Sequence, residues 1–181
     1  LKPYEAYIKR LIDDLEGGHS HDASDSGGET RYGITKQTAR SCGYLGNMAD
    51  MPRSVAEGIY RDDYWVKPGF ADIEDVYPGL AWFMFQFGVV SGQCRAAESL
   101  QRCLNVLNVG GSLYPDLTVD ADIGPKTIEA LKGYLRSRRS GVLLSAVSDL
   151  AGSHFIGLAE RREKDENFIY GWLINRTILS E

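Results

Sequence analysis

Apolar residues recur at three- and four-residue intervals along most of the chain, which is the period of an α-helix. Tyr4, Ile8, Leu11, Ile12 and Leu15 form the first such stripe and predict an amphipathic helix at the N-terminus. Gly17-Gly18 ends it, because glycine takes the left-handed conformation that closes a helix at little cost. Glu16 therefore stands at the helix end, one turn beyond Ile12, with its stem toward the core side. Residues 17–34 (GGHSHDASDSGGETRYGI) carry few apolar groups and predict a loop or a small hairpin. Connections of that length in compact domains tend to be functional. Beyond it, Thr35 can cap a helix running to about Ser41, and Pro52 can open one through Tyr64-Trp65. Further helices are expected over 78–90, 93–107, 125–139, 140 to about 165, and 167–178. Residues 108–124 (NVGGSLYPDLTVDADIG) read as a surface connection between a larger front part and a C-terminal helical part.

Composition fits this mainly α reading. With 181 residues, 43% hydrophobic and 25% charged, the chain is long enough for one domain with a real core, or one with a small appended unit. The longest apolar run, Gly79 to Val90 (GLAWFMFQFGVV), is broken by Gln86 and is too short to cross a bilayer. It predicts a buried helix with Trp82, Phe83, Phe85 and Phe87 in the core, and no membrane span is expected. The chain opens at Leu1 with no signal-peptide pattern, so an N-terminal segment absent from this sequence is an expectation. A net charge of −5 and the lack of a basic stripe count against nucleic acid. The local cluster Arg136, Arg138 and Arg139 suits a helix C-terminus. The three cysteines, Cys42, Cys94 and Cys103, show no metal-ligand spacing and read as free thiols. Cys94 and Cys103, nine residues apart on one helix, are too distant to join. His19, His21 and Asp22 lack a fourth ligand, and Asp120 and Asp122 lack the closing Glu of a calcium loop. No metal and no cofactor are therefore assigned, and a monomer is expected.

Three polar residues stand out by type and spacing: Glu16, Asp25 and Thr30. Glycosidic bonds are cleaved by two carboxyl groups, one protonating the leaving oxygen and the other activating water or attacking the sugar. The acid must stay protonated near neutral pH, which an apolar setting at a helix end favours. The second group must stay ionised in a wetter place, and Asp25 lies in a Ser/Gly-rich stretch (Ser24-Asp25-Ser26-Gly27-Gly28). A hydroxyl such as Thr30 could hold the attacking water. The same residue types also serve ordinary ends: Asp25 as an Asx-turn residue, Thr30 as a strand or cap residue. Tyr64 and Trp65 offer aromatic faces for a sugar ring and equally suit a helix end packed in the core. Tyr32 is a second cleft candidate.

Longer motifs surround these positions. Glu16-Gly17-Gly18, then Asp25-Ser26-Gly27-Gly28-Glu29-Thr30, then Gly33-Ile34-Thr35 resemble the EGG, D-P-G-G-x-T and G-I-T signature of glycoside hydrolase family 108. Ser26 replaces the usual Pro. Ile59 to Trp65 (IYRDDYW) resembles the family's I-Y-x-x-x-Y-W segment, and Phe85 to Gly92 (FQFGVVSG) resembles F-D-F-A-V-N-S-G, with Gln86 in place of Asp and Val90 in place of Asn. Val119 to Thr127 (VDADIGPKT) resembles the V-D-G-x-x-G-P-x-T form of a peptidoglycan-binding region, and Gly171 to Arg176 (GWLINR) resembles a terminal G-W-L-N-R with one residue inserted.

The resemblance implies a lysozyme-like helical domain with a small Gly-rich loop or β-hairpin near the active site. It divides the chain into a catalytic region at 1–92 and a helical, peptidoglycan-binding region at 93–181, packed as one globule. The implied activity is that of an N-acetylmuramidase on bacterial peptidoglycan, as in endolysins and secretion-associated muramidases, acting at the cell wall. Glu16 takes the place of the family's catalytic glutamate. Asp25 and Thr30 take the other two places of a Glu–Asp–Thr arrangement that also resembles that of phage lysozymes, which invert the anomeric centre. Gln86 joins Tyr32, Tyr64 and Trp65 as a candidate substrate contact. Two rival readings remain: a lytic transglycosylase, and a peptidoglycan-binding protein without turnover, for which the changes at Gln86 and Val90 speak.

Overall fold

The computed structural model of the chain describes residues 3–14, 19–20 and 28–176. Helices dominate the described residues, as the periodicity predicts, and fall into two compact units, Leu1–Lys67 and Pro68–Glu181.

In the first unit, α1 (Pro3–Asp14) buries Ile8, Leu11 and Ile12, the stripe read from the sequence. The strands β1 (His19–Ser20), β2 (Thr30–Arg31) and β3 (Ile34–Thr35) form a small antiparallel sheet in that order. Thr35 caps α2 (Lys36–Ser41), its side chain accepting from the Thr38 N–H at 3.1 Å. A short 3-10 turn, Met48–Asp50, precedes α3 (Arg53–Ile59).

The helix expected to run evenly to Trp65 changes pitch. Tyr60–Val66 is a π-helix, closed by a five-residue bond from the Lys67 N–H to the Asp62 carbonyl at 2.9 Å. Regular α-helical pitch sets residues five apart about 140° from each other. The wider turn lets Tyr60 and Trp65 both face the core, at 1% and 0% exposure. Trp65 stacks on Tyr4 of α1 at 5.8 Å and meets Tyr7 at 6.4 Å, while Arg53 ties α3 to Asp13 at 2.7 Å.

The second unit is built around α5 (Pro78–Ser91), which buries Leu80, Ala81, Phe83, Met84, Phe85 and Phe87 on several sides. It packs against α4 (Phe70–Glu74), α6 (Gln93–Leu107), α8 (Ser140–Arg161) and α9 (Glu166–Arg176), while α7 (Pro125–Ser137) packs on α6. A helix apolar all round belongs in a core. α4 has no counterpart in the periodic reading, since five residues are too few to display one. Gly69, just before it, has φ 79°, and a Cβ there would lie 2.7 Å from the Ile123 carbonyl. α8 is the one described helix long and apolar enough to cross a membrane. Its buried residues Leu143, Val147, Ala151, Phe155 and Ala159 recur every fourth position and face α6 and α9, the geometry of a core helix. It stops at Arg161, short of the expected 165. Arg162 turns extended and pairs with the buried Asp165, making a 3-10 turn at Glu163–Asp165 before α9. All three cysteines are free.

Residues 108–124 form no helix or strand, yet they are held firmly. Gln101, Asn105 and Asn108 lie along one face of α6, and each amide both donates and accepts. The Gln101 carbonyl accepts from the Asp120 and Ala121 N–H groups at 3.1 and 3.0 Å, and its amide donates to Asp120 at 2.7 Å. Asn105 exchanges a matched pair with the Leu117 backbone at 2.8 and 2.7 Å. Asn108 donates to Asp116 at 2.6 Å and accepts from the Gly111 N–H at 2.9 Å. These amides do for the connection what a neighbouring strand does in a sheet. The Asp122 N–H and the Gln101 amide hold the Asp120 carboxyl below the usual carboxylate range.

This anchoring holds Ala121 at φ 64°, where the resembled motif carries glycine. A side chain in the left-handed region costs on the order of 1–2 kcal/mol, partly offset by glycine's greater freedom when unfolded. Ala121→Gly is therefore expected to stabilise the chain by roughly 0.5–1 kcal/mol. Chemical denaturation would show this as a higher midpoint at unchanged slope; a lower midpoint would mean that the bonds to Gln101 leave no strain to relieve.

Candidate active site

Of the three candidate catalytic residues, Thr30 is described; Glu16 and Asp25 lie outside the described residues, as do His21 and Asp22 of the metal reading. Thr30 sits on the central strand of the sheet, with Ser20 paired to it from β1 and Thr35 from β3. His19, three residues after Glu16 in sequence, pairs with Arg31 in the same ladder.

The β2–β3 hairpin closes through two residues, Tyr32 and Gly33, both at positive φ, 52° and 75°. Two-residue turns of this hand match the twist of paired strands, and they normally recruit Asn-Gly or Gly-Gly. Glycine meets the requirement at the second position. At the first, a tyrosine holds a conformation that disfavours it, so the surroundings must compensate. They do so at two points. The Tyr60 hydroxyl, from the π-helix, donates to the Tyr32 carbonyl at 2.9 Å. The Arg31 guanidinium lies over the Tyr32 ring, 4.7 Å from its centre. Burial, with the neighbouring Tyr64 adding to it, pushes the Tyr60 hydroxyl well above the ordinary tyrosine range, so it remains a donor.

The base of the hairpin is tied as well. The Lys36 N–H donates to the Glu29 carbonyl at 2.9 Å, and the Lys36 ammonium pairs with the Glu29 carboxylate at 3.0 Å. Thr30, half-buried, is thus carried on a strand fixed at both ends.

The aromatic candidates separate. Tyr32 is half-buried at the hairpin turn. Tyr64 is half-buried too, tilted against Tyr60 at 5.3 Å. Its hydroxyl is raised by burial, with Cys42 and Asp63 nearby, against a lowering hydrogen bond with Thr38. Trp65 is the correction: at 0% exposure, stacked between α1 and the π-helix, it offers no open face to a sugar. Gln86 lies half-buried on α5, in the second unit. A hollow between α1 and α3, lined by Tyr4, Glu5, Ile8, Glu57 and Arg61 among others, includes none of the candidate residues.

Residues 10–92 match the family Glycosyl hydrolase 108, and residues 95–177 match the family Predicted Peptidoglycan domain. The front part of the chain is thus similar to glycosyl hydrolase family 108 and the rear part to a peptidoglycan domain. Its first family match spans the end of α1, the sheet, the π-helix and α5; the peptidoglycan domain spans α6 to α9. The two matches together mark a peptidoglycan hydrolase of lysozyme type, and its fold is mainly α and lysozyme-like. A solved structure, that of Brucella abortus SagA, is similar in fold over 99% of this chain and 99% of that one, with a TM-score of 0.65 and 21% identity. No curated protein matches the chain in sequence.

Sequence reasoning missed Tyr60 and Arg31 as supports of the hairpin. Tyr60 belongs to a motif read for its aromatic end, and its acceptor lies 28 residues away, so no local spacing signals the bond. Tyr60→Phe keeps the ring packing and removes only the donor. It is expected to cost about 1 kcal/mol of stability. Peptidoglycan turnover should fall roughly tenfold in kcat with little change in KM. Steady-state kinetics well below the melting temperature would check this; wild-type kcat would mean that ring packing alone holds the turn.

Proposed function

We propose that the chain is a family 108 N-acetylmuramidase that cleaves the β-1,4 bond between N-acetylmuramic acid and N-acetylglucosamine. The observation that carries the reading is the match of residues 10–92 to a glycosyl hydrolase family, in a unit that fixes Thr30 on the middle strand of a pinned sheet. Glu16, as the acid, protonates the bridging oxygen and is left as a carboxylate, while the bond from that oxygen to the muramic acid C1 breaks and the N-acetylglucosamine side leaves as an alcohol. Asp25, as the base, takes a proton from water on the opposite face of the ring, and the water oxygen bonds to C1. Thr30 orients that water. The two carboxyl groups need opposite protonation states, which separate environments provide. Inversion at C1 follows, because the water enters opposite the leaving group.

Tyr32, Tyr64 and Gln86 are proposed as substrate contacts, and Trp65 as a packing residue. Residues 1–92 act as the catalytic region and 93–181 as a peptidoglycan-binding region, in a monomer that works at the bacterial cell wall in lysis or in secretion. The chemistry assigned here needs no cofactor or metal.

Glu16→Gln keeps size and hydrogen bonding but cannot supply the proton. Release of reducing ends from purified peptidoglycan should drop by at least about 10³-fold while the melting temperature stays near wild type. Turnover within about tenfold of wild type would remove Glu16 from the role of acid.

A further inference from the structure

A ladder of aromatic rings leads outward from the core of the second unit to its surface. Phe87 of α5 meets Phe155 of α8 edge to face at 5.7 Å. Phe155 meets Trp172 of α9 at 5.7 Å. Trp172 stacks on Phe168 at 6.3 Å, with the two planes only 20° apart. The inner rings are buried, Trp172 is half-buried, and Phe168 at the outer end is 56% exposed. Residues 168 and 172 are four apart, so on a helix they share a face, and Phe168 is the exposed outer ring of the stack. Exposing a phenylalanine to water is unfavourable, and the rungs behind it hold the ring in a fixed place.

We propose that the Phe168–Trp172 pair is a glycan-stacking subsite, where the C–H face of a peptidoglycan sugar rests on the exposed ring surface. The proposal rests on the functional reading above and adds the place on the second unit where the polymer is held. Three features favour a sugar over other occupants. Phe168 and Trp172 lie within residues 95–177, the span that matches a peptidoglycan domain. The surface is a nearly parallel ring pair, which suits the flat apolar face of a pyranose. The chain carries a net charge of −5, and the exposed residues just before the rings mix both signs (Arg161, Arg162 and Lys164 with Glu163 and Glu166), which is not the basic cluster that draws a protein to an anionic lipid surface. A rigid platform gains affinity because its rings need no ordering on binding.

The test uses the full chain and Phe168, whose exposure lets it be truncated without opening the core. Co-sedimentation with purified sacculi in the cold gives binding before digestion proceeds. Phe168→Ala should weaken sacculus binding roughly fivefold. Phe168→Trp should restore it, and added salt should change neither value. Binding by Phe168→Ala equal to wild type would overturn the subsite and leave the functional reading standing. Binding to phosphatidylglycerol vesicles that depends on Phe168, with sacculus binding that does not, would assign the surface to a membrane and overturn the proposal. If the unaltered chain neither binds nor cleaves sacculi, the functional reading falls and the subsite with it.

Discussion

The hydrogen bond from Tyr60 to the Tyr32 carbonyl is the constraint on which the candidate site depends. A tyrosine in the left-handed region is a local liability, and a three-stranded sheet with strands of two residues has little cooperativity of its own. The bond and the arginine over the Tyr32 ring convert that weak hairpin into a fixed support for Thr30. The donor reaches the turn because the helix after Ile59 widens into a π-helix and turns Tyr60 and Trp65 inward together. Catalysis by two carboxyl groups and a held water tolerates little looseness. In the proposed mechanism the π-helix bears on function through the turn it braces.

The second unit solves a similar problem by another route. Its long connection has no strand or helix, and its backbone groups are met instead by a column of side-chain amides, Gln101, Asn105 and Asn108. Each amide faces peptide groups that need both a donor and an acceptor, which a hydroxyl or carboxylate serves less evenly. The result is a shaped loop on a helical platform, adjoining the start of α7 at Gly124-Pro125.

Much of the fold was legible because helical periodicity is a strong signal. The stripe of α1, the Thr35 cap, the apolar run of α5 and the prolines opening α5 and α7 all appear where the pattern puts them. Short or irregular elements were not legible. α4 has too few residues to show a period, the π-helix has no distinct composition, and the break at Arg162 depends on a pair with Asp165. Of the site, Thr30 could be placed in a Gly-rich hairpin, while the residue that pins the hairpin could not, since its partner is remote in sequence. Trp65 was open between a sugar platform and the core, and burial decides it for the core. Glu16 and Asp25 stand on the motif, outside the described residues.

The central claim is hydrolysis at N-acetylmuramic acid by water held near Thr30. Digestion of purified peptidoglycan in water enriched in heavy oxygen, followed by mass spectrometry of the fragments, tests it directly. The account predicts one heavy oxygen on each new reducing end, and that end on N-acetylmuramic acid. Unlabelled fragments ending in an anhydro-sugar would contradict it, because the muramic acid's own hydroxyl would then have taken the place of water.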